Sequence, residues 1–208
     1  MTLRVLIALA GMALLPVSAA RAQGPGRLTF RARVSELGLQ TGSYAKSKRP
    51  DDCAEVALPG RLNQPPLSVA LVDRKTADWS TPERAMASIR SANTAGDAAW
   101  ILENFSPDAQ AGVRSLLAEP ATAQRNRDYY KTIQKLEITG SVELRGYTLL
   151  LSREERGGGE ARVVPVTLTK TAAGWKQTNA LSADETFDVV WAAVRSGGVR
   201  GGTLGACP

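Results

Sequence analysis

Between Thr81 and Thr178, the hydrophobic pattern of this sequence changes its period once, between Tyr130 and Leu136. From Thr81 to Tyr130 the apolar residues recur every three or four positions, which is typical of amphipathic helices. From Leu136 to Thr178 they alternate with polar residues, which is typical of half-buried strands. Helices followed by a run of consecutive strands predict an α+β fold with an antiparallel sheet.

Local signals mark where the helices begin. Thr81 precedes Pro82, and this pair suits an N-cap and a first helical position, because the hydroxyl accepts a backbone N–H and proline has no N–H to leave unbonded. Asp97 is predicted to cap a second helix and Ser106 a third, while Pro120 opens a fourth. The sequence therefore predicts a compact set of short helices before the sheet.

The last helix is predicted to begin at a capping box formed by Ser182 and Glu185. Apolar residues follow it at i, i+3, i+4 and i+7 and predict one buried face, made of Phe187, Val190, Trp191 and Val194.

Two features of the strand region predict positions within the sheet. The strand Tyr147 to Ser152 contains Leu149-Leu150-Leu151, so apolar groups lie on both of its faces and we expect a central strand that is covered on both sides. Pro165 lies inside the strand Arg162 to Thr169 and has no N–H for a ladder, so it predicts an edge or a bulge. The first strand alternates regularly and is predicted to bury Leu136, Ile138, Val142 and Leu144 on one face.

The order of these elements, with Thr81-Pro82-Glu83 and with Gly96-Asp97 followed by Trp100, resembles the nuclear transport factor 2-like superfamily. The resemblance covers Trp79 to Thr178, and it is to small bacterial secreted members of unknown function, alongside ketosteroid isomerase and the SnoaL-like polyketide cyclases. It implies an α+β cone, in which N-terminal helices pack in a curved antiparallel sheet and a pocket opens at one end. The final helix would be an addition to that cone.

The resemblance also implies where a ligand and a second chain would bind. Four aromatic residues would surround the mouth of the cone, and we expect a small apolar ligand there; they are Trp100, Tyr130, Tyr147 and Trp175. Members of the superfamily often pair through the open face of the sheet, so the resemblance implies a possible homodimer.

Residues 1–22 have the pattern of a secretory signal peptide. Arg4 is followed by an apolar stretch of about 11 residues, too short for the roughly 20 that a spanning helix needs, and Ala20-Arg21-Ala22 forms a small-x-small cleavage site. We therefore expect cleavage after Ala22, a periplasmic or secreted protein, and no stable membrane anchor. The remaining chain divides into an N-terminal extension (23–78), the cone with its C-terminal helix (79–196) and a flexible tail (197–208).

The N-terminal extension is predicted to hold two strands and a long loop. Arg27 to Val34 alternates apolar residues with arginines, and the arginine face suits either an anion or nucleic-acid stripe or the solvated face of an exposed strand. We favour the solvated face and expect no nucleic-acid partner, because a secreted protein meets little nucleic acid and the arginine face itself contains no aromatic residue. The composition of Gly38 to Pro66 predicts a loop, and Leu67 to Val72 a second strand, and the two strands would extend the main sheet or form a small hairpin on it.

The chain has two cysteines, Cys53 and Cys207. In an oxidising compartment such a pair commonly forms a disulfide, and we expect this one to form within the chain. Two free thiols, or pairing between chains, are the alternatives.

The chain has no histidine, which excludes histidine-containing catalytic triads and imidazole metal ligands. No phosphate-binding glycine loop and no metal-ligand spacing occurs in the sequence, so we predict no cofactor and no metal site. Carboxylates and tyrosines are the groups left for acid–base chemistry, but Asp97 and Asp108 are explained as helix caps or first-turn residues. The arrangement of ketosteroid isomerase does not fit these positions, and no catalytic residue is predicted.

Three functional hypotheses follow. The first is a secreted, non-catalytic binding module with a small apolar ligand in the pocket or a protein partner on the sheet face. The second is a periplasmic isomerase or hydrolase that uses Asp, Tyr and Arg without histidine, and it predicts a pocket carboxylate with a raised pKa. The third is an envelope accessory or inhibitor protein, which predicts an exposed apolar patch on the sheet.

Overall fold

The computed structural model describes residues 26–38, 46, 48–196, 199–200, 202–205 and 207. The predicted signal peptide and its cleavage site after Ala22 lie outside the described residues. No helix in the described part of the chain is long and apolar enough to span a membrane.

The described residues form an α+β fold, as predicted. The helices are α1 (Pro82–Ala95), α2 (Ala98–Glu103), α3 (Pro107–Ala118), α4 (Pro120–Thr132) and α5 (Glu185–Arg195). The strands are β1 (Gly26–Arg33), β2 (Cys53–Ser68), β3 (Ile133–Leu144), β4 (Tyr147–Arg156), β5 (Ala161–Thr171), β6 (Gly174–Gln177), β7 (Val199–Arg200) and β8 (Thr203–Leu204). Short 3-10 turns lie at Val34–Glu36 and Arg74–Thr76.

The strands form one mixed sheet in the order β6-β5-β4-β3-β2-β1-β8-β7. Neighbouring strands are antiparallel, except that β1 and β8 are parallel. Strands β1 and β2 therefore extend the main sheet, which was one of the two predicted arrangements. The predicted apolar face is buried at Leu28, Phe30 and Ala32 of β1 and at Val34, which directly follows the strand.

The prediction of a loop over Gly38 to Pro66 is wrong for its second half, because β2 occupies Cys53–Ser68. Glycine and proline in this segment suggested a loop, but Gly60 meets a packing requirement of the sheet. A Cβ at Gly60 would lie 2.5 Å from Val142 Cγ1 and 2.6 Å from the Ser141 carbonyl oxygen, so β3 approaches β2 too closely for a side chain. The second predicted strand, Leu67 to Val72, contributes only its first two residues to β2.

Strand β4 is the centre of the fold, with helices on both faces. Leu149 and Leu151 pack in the cluster that contains Val190 of α5. Leu150 points the other way and packs in the cluster that contains Ile89 of α1. All three leucines have no exposed surface. The prediction of a central strand covered on both sides is confirmed.

A bulge at Thr139 divides β3 into two halves that face opposite layers. Ile138 pairs with Ser152 and Gly140 with Leu151, so β3 has one more residue than β4 at this point. Leu136 and Ile138 therefore pack towards α1, and Val142 and Leu144 pack towards α5. All four residues are buried, but the prediction that they share one face is wrong, because one extra residue reverses the alternation.

Four capping residues were predicted: Thr81 and Asp97 are confirmed, and Ser182 is wrong. Ser106 holds the N-cap position of α3 without a side-chain cap hydrogen bond. The Thr81 hydroxyl accepts a hydrogen bond from the Arg84 N–H, and the Asp97 carboxylate accepts one from the Trp100 N–H. At α5 the cap is Asp184, whose carboxylate accepts from the Phe187 N–H at 3.0 Å. The Ser182 N–H instead donates to the Asn179 carbonyl in the preceding turn.

The disulfide within the chain is confirmed. Cys53 and Cys207 are bonded with their Cα atoms 5.9 Å apart, and 154 positions separate them in the sequence. Cys53 begins β2, and Cys207 follows β8, which pairs with β1. The bond therefore joins the C-terminal end of the chain to the side of the sheet that β1 and β2 form.

Candidate functional site

A cleft of about 400 Å³ lies along the free part of β5. Helix α4 forms one wall, helix α5 forms the other, and the turn after β6 closes one end. The residues that line it are Met86, Asn126, Tyr129, Tyr130, Glu154, Arg162, Val164, Pro165, Val166, Thr167, Gln177, Thr178, Asn179, Ser182, Phe187 and Trp191.

The floor of the cleft is a strand edge. Strand β6 pairs with β5 only over Leu168–Thr171, and the Thr178 N–H then donates to the Thr167 carbonyl at 3.0 Å. N-terminal to Thr167, β5 pairs with β4 alone in the described part of the chain. Pro165 lies in this free segment, so its predicted edge position is confirmed. The register between β4 and β5 is continuous there, so the alternative of a bulge at Pro165 does not apply.

At the α4 wall, the phenol of Tyr129 meets a carboxylate and two guanidinium groups that belong to β4 and β5. The Tyr129 hydroxyl and the Arg162 Nε both donate to Glu154 Oε2, the arginine at 2.9 Å. Arg156 Nη2 lies 3.7 Å from the same oxygen. The guanidinium carbons of Arg156 and Arg162 are 4.4 and 4.8 Å from the centroid of the Tyr129 ring. Both arginines therefore combine an ion pair with a cation–π contact.

Burial is the largest cause of the pKa shifts of Glu154 and Arg162. It raises the pKa of the Glu154 carboxyl above its ordinary value, and the neighbouring Arg156 opposes the rise. Burial also lowers the pKa of Arg162, and the positive charge of Arg195 lowers it further. The charge of Arg195, the last residue of α5, therefore acts on the guanidinium group of Arg162.

The site opposes the ionisation of the Tyr130 phenol. Burial, and after it the negative charge of Glu154, raises the pKa of Tyr130 to about 12. A raised pKa of an acid in the folded state means that its stabilising contribution is complete below the unfolded pKa of about 10 and is lost as pH rises through 12. At 1.36 kcal/mol per pH unit, the loss is about 2–3 kcal/mol.

Tyr130→Phe is accordingly expected to remove an alkaline titration. After a rapid jump in pH, the absorbance at 295 nm of the wild type minus that of the variant should show one phenol that ionises near pH 12. The variant should also keep about 2–3 kcal/mol of stability that the wild type loses between pH 10 and 12. A difference spectrum that titrates near pH 10 would contradict the burial of this hydroxyl.

The α5 wall is aromatic. Phe187 and Trp191 lie one helical turn apart, with ring centroids 6.1 Å apart and planes at 53°. Both are half-buried, whereas Val190 and Val194 of the same helix are buried in the core. The predicted apolar face of α5 is therefore divided, because two of its four residues face the cleft. Val189 and Ala193 complete the buried face and were not predicted.

The four aromatic residues predicted at the mouth of a cone do not converge on one cavity. Tyr130 lines the cleft. Both Tyr130 and Trp175 pack against the apolar cluster that contains Ile89 of α1. Trp100 is buried among the helices, where its indole N–H donates to the Ser88 hydroxyl at 2.9 Å. Tyr147 packs against the cluster on the opposite face of the sheet.

Sequence reasoning missed Glu154 and Arg162. The two aspartates considered from the sequence have structural roles. Asp97 caps α2 and binds Arg74, and Asp108 lies in the first turn of α3. Glu154 lies on a strand and is only 6% exposed. A signal existed, because Glu154 stands four positions after Leu150 and shares its face in a strand. No group of three or more His, Cys, Asp or Glu residues suited to a metal occurs in the described part of the chain.

Comparison with known proteins reports little similarity. No protein-family model and no curated protein matches the sequence. Among solved structures, the chain matches the solution structure of a SEC-C motif containing protein from Rhodopseudomonas palustris, with 21% identity and a TM-score of 0.34. The match covers 50% of this chain and 80% of that chain. At this TM-score the likeness carries no argument about function.

The resemblance to the nuclear transport factor 2-like superfamily is wrong. No family model matches the sequence, that superfamily included. In the described sheet, α5 covers the face opposite α1, and β1 and β2 extend the sheet beyond the strands that the resemblance implies. Helix caps and the order of elements specify where helices begin. They do not specify how a sheet curves or which strands join it.

Proposed function

We propose that this protein is a non-catalytic binding module, and that its cleft along β5 takes a ligand with an apolar part and an anionic group. The aromatic wall of α5 suits the apolar part, and the arginine-containing wall suits the anion. The ligand of this proposal differs from the purely apolar one expected from the sequence, because the cleft contains charge.

One observation carries the proposal. In the ion pair between Glu154 and Arg162, the carboxylate side chain is 8% exposed and the guanidinium side chain is 43% exposed. The cation therefore faces the cleft while the anion is covered. The carboxylate oxygen Oε2 already accepts hydrogen bonds from Tyr129 and Arg162, so a ligand meets positive charge rather than a free base.

The compartment belongs to the same proposal. The Cys53–Cys207 disulfide is compatible with a secreted protein, since such bonds persist in oxidising compartments. We place the protein in the periplasm or outside the cell, after cleavage of residues 1–22. An anionic, partly apolar ligand would then come from the envelope or from the surroundings of the cell.

The aromatic anion 8-anilinonaphthalene-1-sulfonate is a suitable probe of the cleft. The wild type is expected to bind one molecule, and Trp191→Ala and Arg162→Gln are each expected to weaken binding about tenfold. One variant removes apolar contact and the other removes the exposed cation. Titration followed by dye fluorescence measures the affinity of each variant for the dye. Far-UV circular dichroism shows whether each variant is folded.

Matched controls come from outside the cleft. Arg31→Gln removes an arginine whose side chain is 41% exposed, similar to that of Arg162. Arg31 lies on β1 and pairs with Glu55 on β2, away from the cleft. Leu71→Ala removes an apolar side chain that is 55% exposed and does not line the cleft. Both controls should bind the dye like the wild type. Equal binding by all four variants would refute the cleft as the binding site.

A second candidate function is an enzyme, and the raised pKa of Glu154 in the cleft favours it. Glu154 with Tyr129 would then act as an acid–base pair. Native mass spectrometry of protein purified from its own envelope fraction can identify a retained small molecule. Chemical conversion of that molecule by the wild type, and no conversion by Glu154→Gln, would favour the enzyme. Release without conversion favours the binding module.

A partner on the sheet face, including a second copy of this chain, remains a weaker proposal. The exposed face of β1 and β2 has Arg27, Arg31, Arg33 and Glu55, and Arg31 and Glu55 pair with each other at 2.6 Å. Such a face lacks the apolar patch that an accessory protein or a sheet-mediated dimer would need. The cleft is therefore the better site for a partner.

A further inference from the structure

We infer that the ligand of the cleft is an extended peptide segment that pairs with the free edge of β5 as an added strand, with acidic side chains on one face and apolar ones on the other. This inference rests on the proposed function, and it names the class of ligand. Two features of the cleft support it: the backbone groups of its floor, and its two different walls, one with an exposed arginine and one aromatic.

The backbone of β5 offers unused hydrogen-bonding groups to the cleft. The Thr167 carbonyl accepts from Thr178 on the β6 side, and in a strand every second residue directs its backbone groups to the same side. Pro165, Val163 and Ala161 therefore direct theirs to the cleft. In the part of the chain that the structure describes, no strand pairs with them on that side. A strand edge between two walls is the arrangement that binds peptides by strand addition.

Pro165 restricts how a partner can pair. It has a carbonyl but no N–H on the cleft side, so a partner strand can donate to it and cannot accept from it. Val163 offers both groups. The pairing is thus limited to a short segment in one register, and proline at an edge also discourages unspecific pairing of longer strands.

The two walls would contact opposite faces of an added strand, because side chains alternate along it. On the α4 side, Arg162 lies in the cleft and its guanidinium group is exposed there. Side chains of the partner that point to this wall would therefore be acidic. On the α5 side they would meet the rings of Phe187 and Trp191 and would be apolar.

A set of synthetic peptides tests this inference on the wild-type protein. The probe is an acetylated and amidated hexapeptide that alternates leucine and glutamate. We expect it to bind at least tenfold more tightly than the same peptide with lysine for glutamate. Methylation of two alternate backbone nitrogens should weaken binding at least tenfold, because it removes strand hydrogen bonds and leaves the side chains unchanged. Hydrogen exchange of the Val163 amide should slow when the glutamate peptide is bound.

Variants separate charge from backbone effects. Arg162→Gln should reduce the preference for glutamate over lysine about tenfold, whereas the matched control Arg31→Gln should keep it. Equal binding of methylated and unmethylated peptides, or unchanged exchange at Val163, would overturn strand addition.

The dye titration separates the two proposals. If the dye binds in the cleft and no peptide does, the ligand is a small molecule and the inference of a peptide is wrong while the binding module stands. If neither the dye nor any peptide responds to changes in the cleft, the proposed function itself fails.

Discussion

Replacing Leu150 with alanine is expected to lower the free energy of unfolding by about 2–5 kcal/mol. Leu150 of β4 has no exposed surface, and it packs on the α1 side of the sheet in the cluster that contains Ile89 and Leu136. Truncation removes its transfer free energy and leaves a cavity that a central strand cannot collapse to fill. Urea denaturation of the variant and the wild type, followed by circular dichroism, measures the difference.

Two further alanine variants make the experiment a test of the layered fold. Leu149→Ala should cost a similar amount, because Leu149 is equally buried but faces α5 on the other side of the sheet. Leu116→Ala is the matched control, since Leu116 is 56% exposed on α3 and should change stability by no more than about 0.5 kcal/mol. If only one of Leu149 and Leu150 proved costly, the sheet would have a single covered face and the architecture described above would be wrong.

Replacing both cysteines with serine is expected to destabilise the protein by about 2–5 kcal/mol, because the bond between Cys53 and Cys207 closes a long loop and restricts the unfolded chain. The bond also ties the chain end that follows β8 to the start of β2. Denaturant titration should therefore show a lower midpoint for the double variant than for the oxidised wild type.

Reduction supplies the control for this variant. Dithiothreitol should lower the stability of the wild type to about that of the double variant, and it should leave the double variant unchanged. A wild-type midpoint that does not respond to the reductant would mean that the disulfide is absent or makes no contribution. A response of the double variant would show that the reductant acts on something other than this bond.

The position of the cleft is a consequence of unequal strand lengths. Strand β6 has four residues and β5 has eleven, so β6 covers only one end of its neighbour. Residues of α4 and α5 line the cleft together with the free part of β5, which forms its floor. The site thus depends on an edge that the fold leaves open and on two helices that are far apart in the sequence.

Several features of the protein follow from short stretches of its sequence. The α+β class, the caps at Thr81 and Asp97, the central position of β4 and the edge position of Pro165 all depend on residues close together in the chain. The disulfide could be predicted because only two cysteines exist. In each case a local preference, or a choice of a single partner, determines the structure.

The tertiary structure alone decided the features that depend on distant partners. The bulge at Thr139 reverses a face because β3 must match both β4 and its covering layers, and Gly60 lies in a strand because β3 approaches it closely. Glu154 belongs to the candidate site because the fold places Tyr129 and Arg162 where both donate hydrogen bonds to it. The period of a sequence predicts which residues are buried, but the pairing of strands determines which layer they meet, and that pairing depends on contacts between residues far apart in the chain.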